Sequence, residues 1–215
     1  MTLRIGVLAL QGAFREHCAA LRKLGAECVE VRRPEQLADL DGLIIPGGES
    51  TTIGKLAALY GLDTAIRHFA HDEQRPVYGT CAGLIYVAHD VGRPQPHLDL
   101  IDIDVARNAF GRQIESFEAD LAMPVLGAAP FRAVFIRAPV ISHVGAAVTP
   151  LATLPDGRVV AARQGGTLVT AFHPELTGDL RVHRYFLDLC AQARAARDTR
   201  APDAPRATDG TAPGA

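Results

Sequence analysis

Cys81 stands in the run Pro76-Val77-Tyr78-Gly79-Thr80-Cys81-Ala82-Gly83, and far downstream lies Phe172-His173-Pro174-Glu175. A thiol, an imidazole and a carboxylate are the groups a thiol enzyme needs: a nucleophile, a base, and an acid that orients the base. The first run reads as a short buried strand that turns sharply at Gly-x-Cys-x-Gly into a helix, which holds the apical side chain clear of the sheet. A helix N-terminus and a neighbouring imidazolium both favour thiolate at such a position, and His173 is the candidate imidazole. His173 and Glu175 are two apart, so a strand continuing from Thr167 to Phe172 through this segment would turn both to one face. Pro174 cannot donate to a ladder and sets the segment at a strand end or edge. Without Cys81 the simpler reading is a solvent-facing His-Glu pair; with it, a catalytic pair is favoured.

Pro46-Gly47-Gly48-Glu49-Ser50-Thr51-Thr52 supplies a second constellation. Adjacent glycines let backbone N–H groups converge on an anion, and Ser50 or Thr51 can cap the helix that follows. With Cys81 as nucleophile, the amides of Gly48 and Ala82 are the candidate oxyanion hole for charge developing on a carbonyl oxygen. A phosphate-binding P-loop is rejected: five residues separate Gly48 from Gly54, and Leu56 stands after Lys55 where a Ser or Thr should be.

The other histidines, His17, His68, His71, His89, His97, His143 and His183, show no metal-ligand spacing and default to surface or helix-face positions. Cys18, Cys28 and Cys190 form neither a C-x-x-C pair nor a regular pattern, so they read as small reduced core residues rather than as a disulfide framework or zinc site. Arg107 precedes a Gly turn and Arg137 closes a strand; either could clamp a carboxylate, although a lone Arg is more often in a surface ion pair.

These groups need a scaffold of strands and helices in alternation. Leu3 to Ala9, Cys28 to Val31, Gly42 to Ile45 and Val77 to Thr80 are β-prone runs separated by helical stretches, among them Phe14 to Leu24, closed by Gly25, and Thr52 to Tyr60. That order predicts a parallel sheet with right-handed crossovers. After Pro94 the texture changes to short strands, at Leu98 to Val105, Ser116 to Leu121, Ala133 to Arg137, Val159 to Arg163 and Thr167 to Phe172, which predict an antiparallel extension. Asp156-Gly157 and Gly165-Gly166 are hairpin-turn dipeptides. A last helix is expected from about Asp179 to Ala193, and the residues from 198 to 215 lack the large apolar side chains needed to order themselves.

At 215 residues with 48% hydrophobic and 21% charged content, the chain fits one soluble domain spanning 1–197 followed by a tail. A formal charge of −2 argues against a general grip on nucleic acid or an anionic membrane. The N-terminus carries no leader pattern and no apolar run approaches a membrane span, so a cytoplasmic protein is expected.

Taken together, Leu10-Gln11-Gly12-Ala13, Gly47-Gly48-Glu49-Ser50-Thr51-Thr52, Gly79-Thr80-Cys81-Ala82-Gly83, Arg107 to Gln113, Ser116 to Asp120 and Phe135-Ile136-Arg137-Ala138-Pro139 resemble one family among the triad glutamine amidotransferases. That family is the glutaminase subunit of pyridoxal 5′-phosphate synthase. The resemblance runs from about Leu3 to the last helix. It implies an α/β, three-layer, doubly wound, flavodoxin-like fold with a mostly parallel sheet. The implied activity is hydrolysis of L-glutamine to glutamate and ammonia, with no cofactor and no metal, and with ammonia passed to a (β/α)8-barrel synthase subunit in a large hetero-oligomer. Carried over by motif, Cys81 is the nucleophile, His173 the general base and acid, and Glu175 the orienter. Gly47, Gly48, Glu49, Arg107, Ile136 and Arg137 match glutamine-binding positions, with Glu49 the natural partner of the substrate ammonium and the arginines of its carboxylate. Family members complete their oxyanion hole when the synthase docks, so the isolated subunit is expected to be weakly active. The competing readings are an amidotransferase subunit of another pathway, a γ-glutamyl hydrolase, and a non-catalytic binding subunit that keeps the fold.

Overall fold

The computed structural model describes residues 2–106 and 116–200. Its first half runs β1 (Arg4–Leu8), α1 (Phe14–Lys23), β2 (Glu27–Val31), β3 (Gly42–Ile45), α2 (Ser50–Leu59), α3 (Leu62–His71), β4 (Val77–Thr80) and α4 (Ala82–Val87). The second half runs β5 (Ala88–Asp90), β6 (Ile101–Ala106), β7 (Ser116–Leu121), β8 (Phe131–Ile136), β9 (Val140–Val144), β10 (Thr149–Thr153), β11 (Val159–Gln164), β12 (Thr167–Thr170) and α5 (Arg181–Arg200). Among the described residues, seven strands form the main sheet in the order β10-β11-β12-β4-β3-β1-β2. The five from β12 to β2 are parallel, and β10 and β11 extend the sheet antiparallel.

Local chemistry explains where the elements begin and end. On α1 the buried residues His17, Cys18, Ala20 and Leu21 form one helical stripe. The helix closes with Gly25 at φ 81°, whose N–H bonds to Arg22 O while Ala26 N–H reaches Leu21 O at 3.1 Å. That double bond is the left-handed glycine stop, and it turns the chain directly into β2. Every residue of β3, β4 and β12 is buried, as expected of central strands covered on both faces.

Strand β4 shows the layering. Tyr78 points to one face, its ring 5.5 Å from Phe186 of α5 and 6.3 Å from His17 of α1. Gly79 points to the other, where a Cβ would meet Gly83 of α4 at 2.7 Å. Helices α1 and α5 therefore cover one side, and α4, with α2 packed on it, covers the other. This is the expected three-layer α/β fold.

The second half departs from expectation in detail. The antiparallel extension exists as β10 and β11, but β12 lies inside the sheet, parallel to β4. The remaining described strands form two small sheets of their own, β5-β6-β9 and the hairpin β7-β8. Strand pairing is decided by tertiary contacts, which strand propensity does not carry. Helix α5 runs on to Arg200 rather than ending near Ala193, so residues 198–200, expected in the tail, are helical. The rest of the expected tail, 201–215, lies outside the described residues.

The expectation of four reduced cysteines is corrected: Cys18 and Cys28 form a disulfide, with Cα atoms 5.4 Å apart. The tight stop at Gly25 lays β2 beside α1 and brings the two within bonding reach, a proximity that a separation of ten residues does not announce. Cys190 is buried, and its sulfur would meet a Cβ at Gly42.

Candidate active site

The parallel strands alone create a crevice. Strand β1 has β2 on one side and β3 on the other, so crossovers leave it in opposite directions and the chain opens at the carboxyl ends of β1 and β3. The loops after these strands, Gln11-Gly12 and Pro46-Gly47-Gly48, meet there. A Cβ on Gly12 would lie 1.9 Å from Gly47 O, so only glycine permits this approach. The Gln11 side chain crosses the gap and accepts the Glu49 N–H at 2.7 Å.

Cys81 follows β4 at the same end. Its backbone sits at φ 49° and ψ −102°, a strained conformation for a residue with a side chain. The turn is held because Cys81 N–H donates to Thr170 O at the end of β12 at 2.8 Å, and because two glycines let α4 fold back on the strand. A Cβ on Gly79 would strike Gly83, and a Cβ on Gly83 would lie 2.0 Å from Ile45 O of β3. Cys81 is 8% exposed, with Sγ 3.9 Å from Ile136 O.

His173 and Glu175 come together differently from expectation. Strand β12 ends at Thr170, and Pro174 to Leu176 form a 3-10 turn that His173 precedes. Period-two strand geometry is therefore not what aligns them; Pro174, suited to the first turn of a helix, closes the turn instead. His173 N–H donates to Val134 O at 2.8 Å, and its Nδ1 lies 2.7 Å from Glu175 Oε1. Carboxylates only accept, so Nδ1 carries the proton and Nε2 is left for Cys81. Burial works against charge on His173, but hydrogen bonds to Cys81 and Glu175 outweigh it and raise the ring from 6.5 to about 10. Burial also opposes charge on Glu175, yet the facing His17 and His173 hold its carboxyl below 4.5.

These groups open on one cleft of about 480 Å³, a size usual for small-molecule sites. Gly47, Gly48, Glu49, Cys81, Ala82, Ile136, Arg137, His173 and Glu175, all named from the sequence, line it. Arg107 lies outside the described residues. Arg137 is exposed and held at φ 44°. Glu49 caps α2 in this structure, accepting from the N–H groups of Thr51 and Thr52 at 3.1 and 2.7 Å. Gln11, Ile85, Pro139 and Leu176 also line the cleft and had no role assigned from the sequence. No group of three or more His, Cys, Asp or Glu among the described residues is placed to hold a metal ion.

Sequence reasoning also missed two histidines. His17 and His183, expected at surface or helix-face positions, lie on α1 and α5 and are fully buried. His17 Nδ1 lies 3.0 Å from His183 Nε2, and His17 Nε2 lies 3.4 Å from Glu175 Oε2 and 3.2 Å from Thr80 Oγ1. A signal existed: 17, 20 and 21 share the buried stripe of α1. Burial lowers both rings, His183 to about 3.

This burial carries an acid sensitivity. Below pH 6.5 the unfolded chain binds protons at these rings that the folded chain refuses, so stability present above 6.5 is lost as pH falls toward 3. His173 offers no offset there, because a raised group contributes fully below 6.5 and loses its contribution only as pH rises toward about 10. Between pH 6.5 and 5, His183 alone is expected to cost about 2 kcal/mol. Urea melts at the two pH values check this, and His183→Gln should flatten the difference.

The chain was also compared with known proteins. The model of the SNO glutamine amidotransferase family matches residues 7–192. The chain is 58% identical over 192 residues to pyridoxal 5′-phosphate synthase subunit PdxT of Pelotomaculum thermopropionicum, covering 89% of this chain and 97% of that one. It is 59% identical over 191 residues to the protein of the same name from Herpetosiphon aurantiacus, covering 87% and 100%. A solved glutamine amidotransferase superposes with a TM-score of 0.83 at 51% identity, over 87% of this chain and 98% of that one. The solved structure of PurLQS from Thermotoga maritima, at TM-score 0.65 and 17% identity over 87% and 99%, shares the fold. The chain belongs to the SNO glutamine amidotransferase family.

Proposed function

We propose that this chain hydrolyses L-glutamine to L-glutamate and ammonia as the glutaminase subunit of a pyridoxal 5′-phosphate synthase, with Cys81, His173 and Glu175 as its catalytic residues. The observation that carries the reading is the convergence, on one cleft at the switch point of the sheet, of a strained Cys elbow, a His-Glu pair and a double-glycine turn. The thiolate of Cys81 attacks the side-chain amide carbon of glutamine, and the amides of Gly48 and Ala82 receive the oxyanion. Collapse breaks the C–N bond, and His173 gives its proton to the departing ammonia. The γ-glutamyl thioester is then attacked by water, whose proton returns to His173, releasing glutamate and Cys81. Glu175 keeps the imidazole in the tautomer these transfers need. Gly47, Gly48, Glu49, Arg107, Ile136 and Arg137 bind the substrate, the arginines at its carboxylate and Glu49, once turned from its capping role, at its ammonium.

The ammonia passes to a (β/α)8-barrel synthase subunit within a large hetero-oligomer. The proposed compartment is the cytoplasm, where the metabolic substrate resides; the Cys18–Cys28 bond pulls the other way, and counting free thiols in protein quenched in acid from cells decides between them. No described helix is long and apolar enough to cross a membrane.

Glutamate release by the full chain, with and without the cognate barrel subunit, tests the function. The expected result is weak turnover alone and at least about tenfold more with the partner. Equal rates would contradict partner activation, and no release under either condition would sink the glutaminase reading.

A further inference from the structure

Glu175 has two oxygens, and the pairing with His173 uses one. Oε1 meets His173 Nδ1 at 2.7 Å, while Oε2 faces His17 Nε2 at 3.4 Å. Glu175, His17 and His183 side chains are all closed off from solvent, so water cannot serve the second oxygen cheaply. Behind His17 stands His183, its Nε2 at 3.0 Å from His17 Nδ1. The proton positions along this line follow from chemistry. Oε2 makes no hydrogen bond in this structure, and a protonated His17 Nε2, which Thr80 Oγ1 also meets at 3.2 Å, is the donor that stands within reach of it; a neutral His17 then has a bare Nδ1. That nitrogen can only accept, so His183 must donate from Nε2. Helices α1 and α5 thus each contribute one imidazole to an ordered chain ending at Cys81, between residues 166 apart in sequence at its far end.

We propose that His17, braced by His183, is a positioning residue that donates to the second oxygen of Glu175 and so keeps that carboxylate ionised and aimed at His173. Thr80 Oγ1 of β4, 3.2 Å from the same nitrogen, accepts from it and shares its one proton with Oε2. The other titratable groups around this line are few. Tyr78 of β4 is tied to Thr170 Oγ1 at 2.9 Å and is held neutral by burial, while Glu16 is exposed on α1 and acts on His17 only at a distance. None replaces the donor that His17 provides. The inference rests on the reading of Cys81, His173 and Glu175 as a catalytic set, and adds to it a second layer drawn from the opposite face of the sheet.

The test uses the full chain, with His17→Leu, His17→Gln, His183→Leu and His183→Gln. The first readout is the pH dependence of Cys81 alkylation by iodoacetamide, located by peptide mass spectrometry so that buried Cys190 is not counted. The second is kcat and KM for glutamine in the presence of the barrel subunit. Loss of the donor makes Glu175 easier to protonate, so in His17→Leu the acidic limb of both profiles should move up by about one pH unit. Its kcat should fall about 10- to 100-fold with KM within about twofold, and His17→Gln, which keeps an N–H, should recover part of the loss. A folded His17→Leu protein with unchanged limb and kcat would overturn the proposal. If that variant does not fold, His183→Leu decides: a smaller shift in the same direction, relieved in His183→Gln, supports the proposal, and an unchanged limb overturns it. Alkylation needs no substrate, so a shifted limb in a protein that does not hydrolyse glutamine would leave the positioning role standing and refute the glutaminase reading.

Discussion

Replacing Cys81 by Ala is expected to bring glutamine hydrolysis to background, a loss of at least about a thousandfold, while glutamine binding stays measurable. The proposed reaction runs through a thioester to this sulfur, and the glycine amides and His173 can supply only residual catalysis without it. The protein should fold as before. Cys81 is small, its approach to Ile136 O is long at 3.9 Å, and alanine bears no heavier penalty than cysteine at the same φ of 49°. The substitution has a second readout. His173 is held up by Cys81 and Glu175 against burial, so without the thiol its ring should titrate below about 10, which NMR can follow. Undiminished turnover in this variant would sink the assignment of the nucleophile.

Gly83→Ala is expected to lose the folded protein outright or to destabilise it by about 3 kcal/mol or more. An added Cβ would lie 2.0 Å from Ile45 O and 2.8 Å from Ile45 C, both backbone atoms in a central strand that is fully buried. Neither can move without tearing β3 from its neighbours. The control is Gly178→Ala, where a Cβ meets nothing within 4 Å and no left-handed φ is required; its urea midpoint should stay within about 0.5 kcal/mol of the parent. Equal behaviour of the two variants would mean that α4 is not packed on β3 as described.

The glycines around Cys81 also show how much could be read in advance. Gly-x-Cys-x-Gly announced the elbow because the requirement is local: a strand must reverse into a helix within two residues, and side chains flanking the apex obstruct that. The same holds for β3, a short apolar run stopped by Pro46-Gly47-Gly48, and for α1, ended by Gly25. His173 and Glu175 were recognised by type, but the geometry expected for them was wrong. A strand would have put them on one face by period two, whereas Pro174 starts a 3-10 turn that brings Nδ1 and Oε1 to 2.7 Å. The Cys18–Cys28 bond was missed because proximity across the α1–β2 turn depends on how tightly the helix stops and packs. His17 and His183 were missed as neighbours of Glu175 because the apolar stripe of α1 shows that His17 faces inward but not which side chains it meets there.

By itself, then, the chain determined its α/β alternation, its elbow, its glycine turn and the identity of the groups able to do chemistry, since each depends on backbone freedom and hydrophobic period over a few residues. Tertiary structure alone decided which groups meet. The switch point between β1 and β3 set Gln11 against Gly48, packing buried His17 and His183 behind Glu175 and lowered both rings, and the registry of β12 beside β4 delivered His173 to Cys81. Hydrogen bonding and charge act through space and strengthen where water is excluded, and neither distance nor burial is written in the local order of residues.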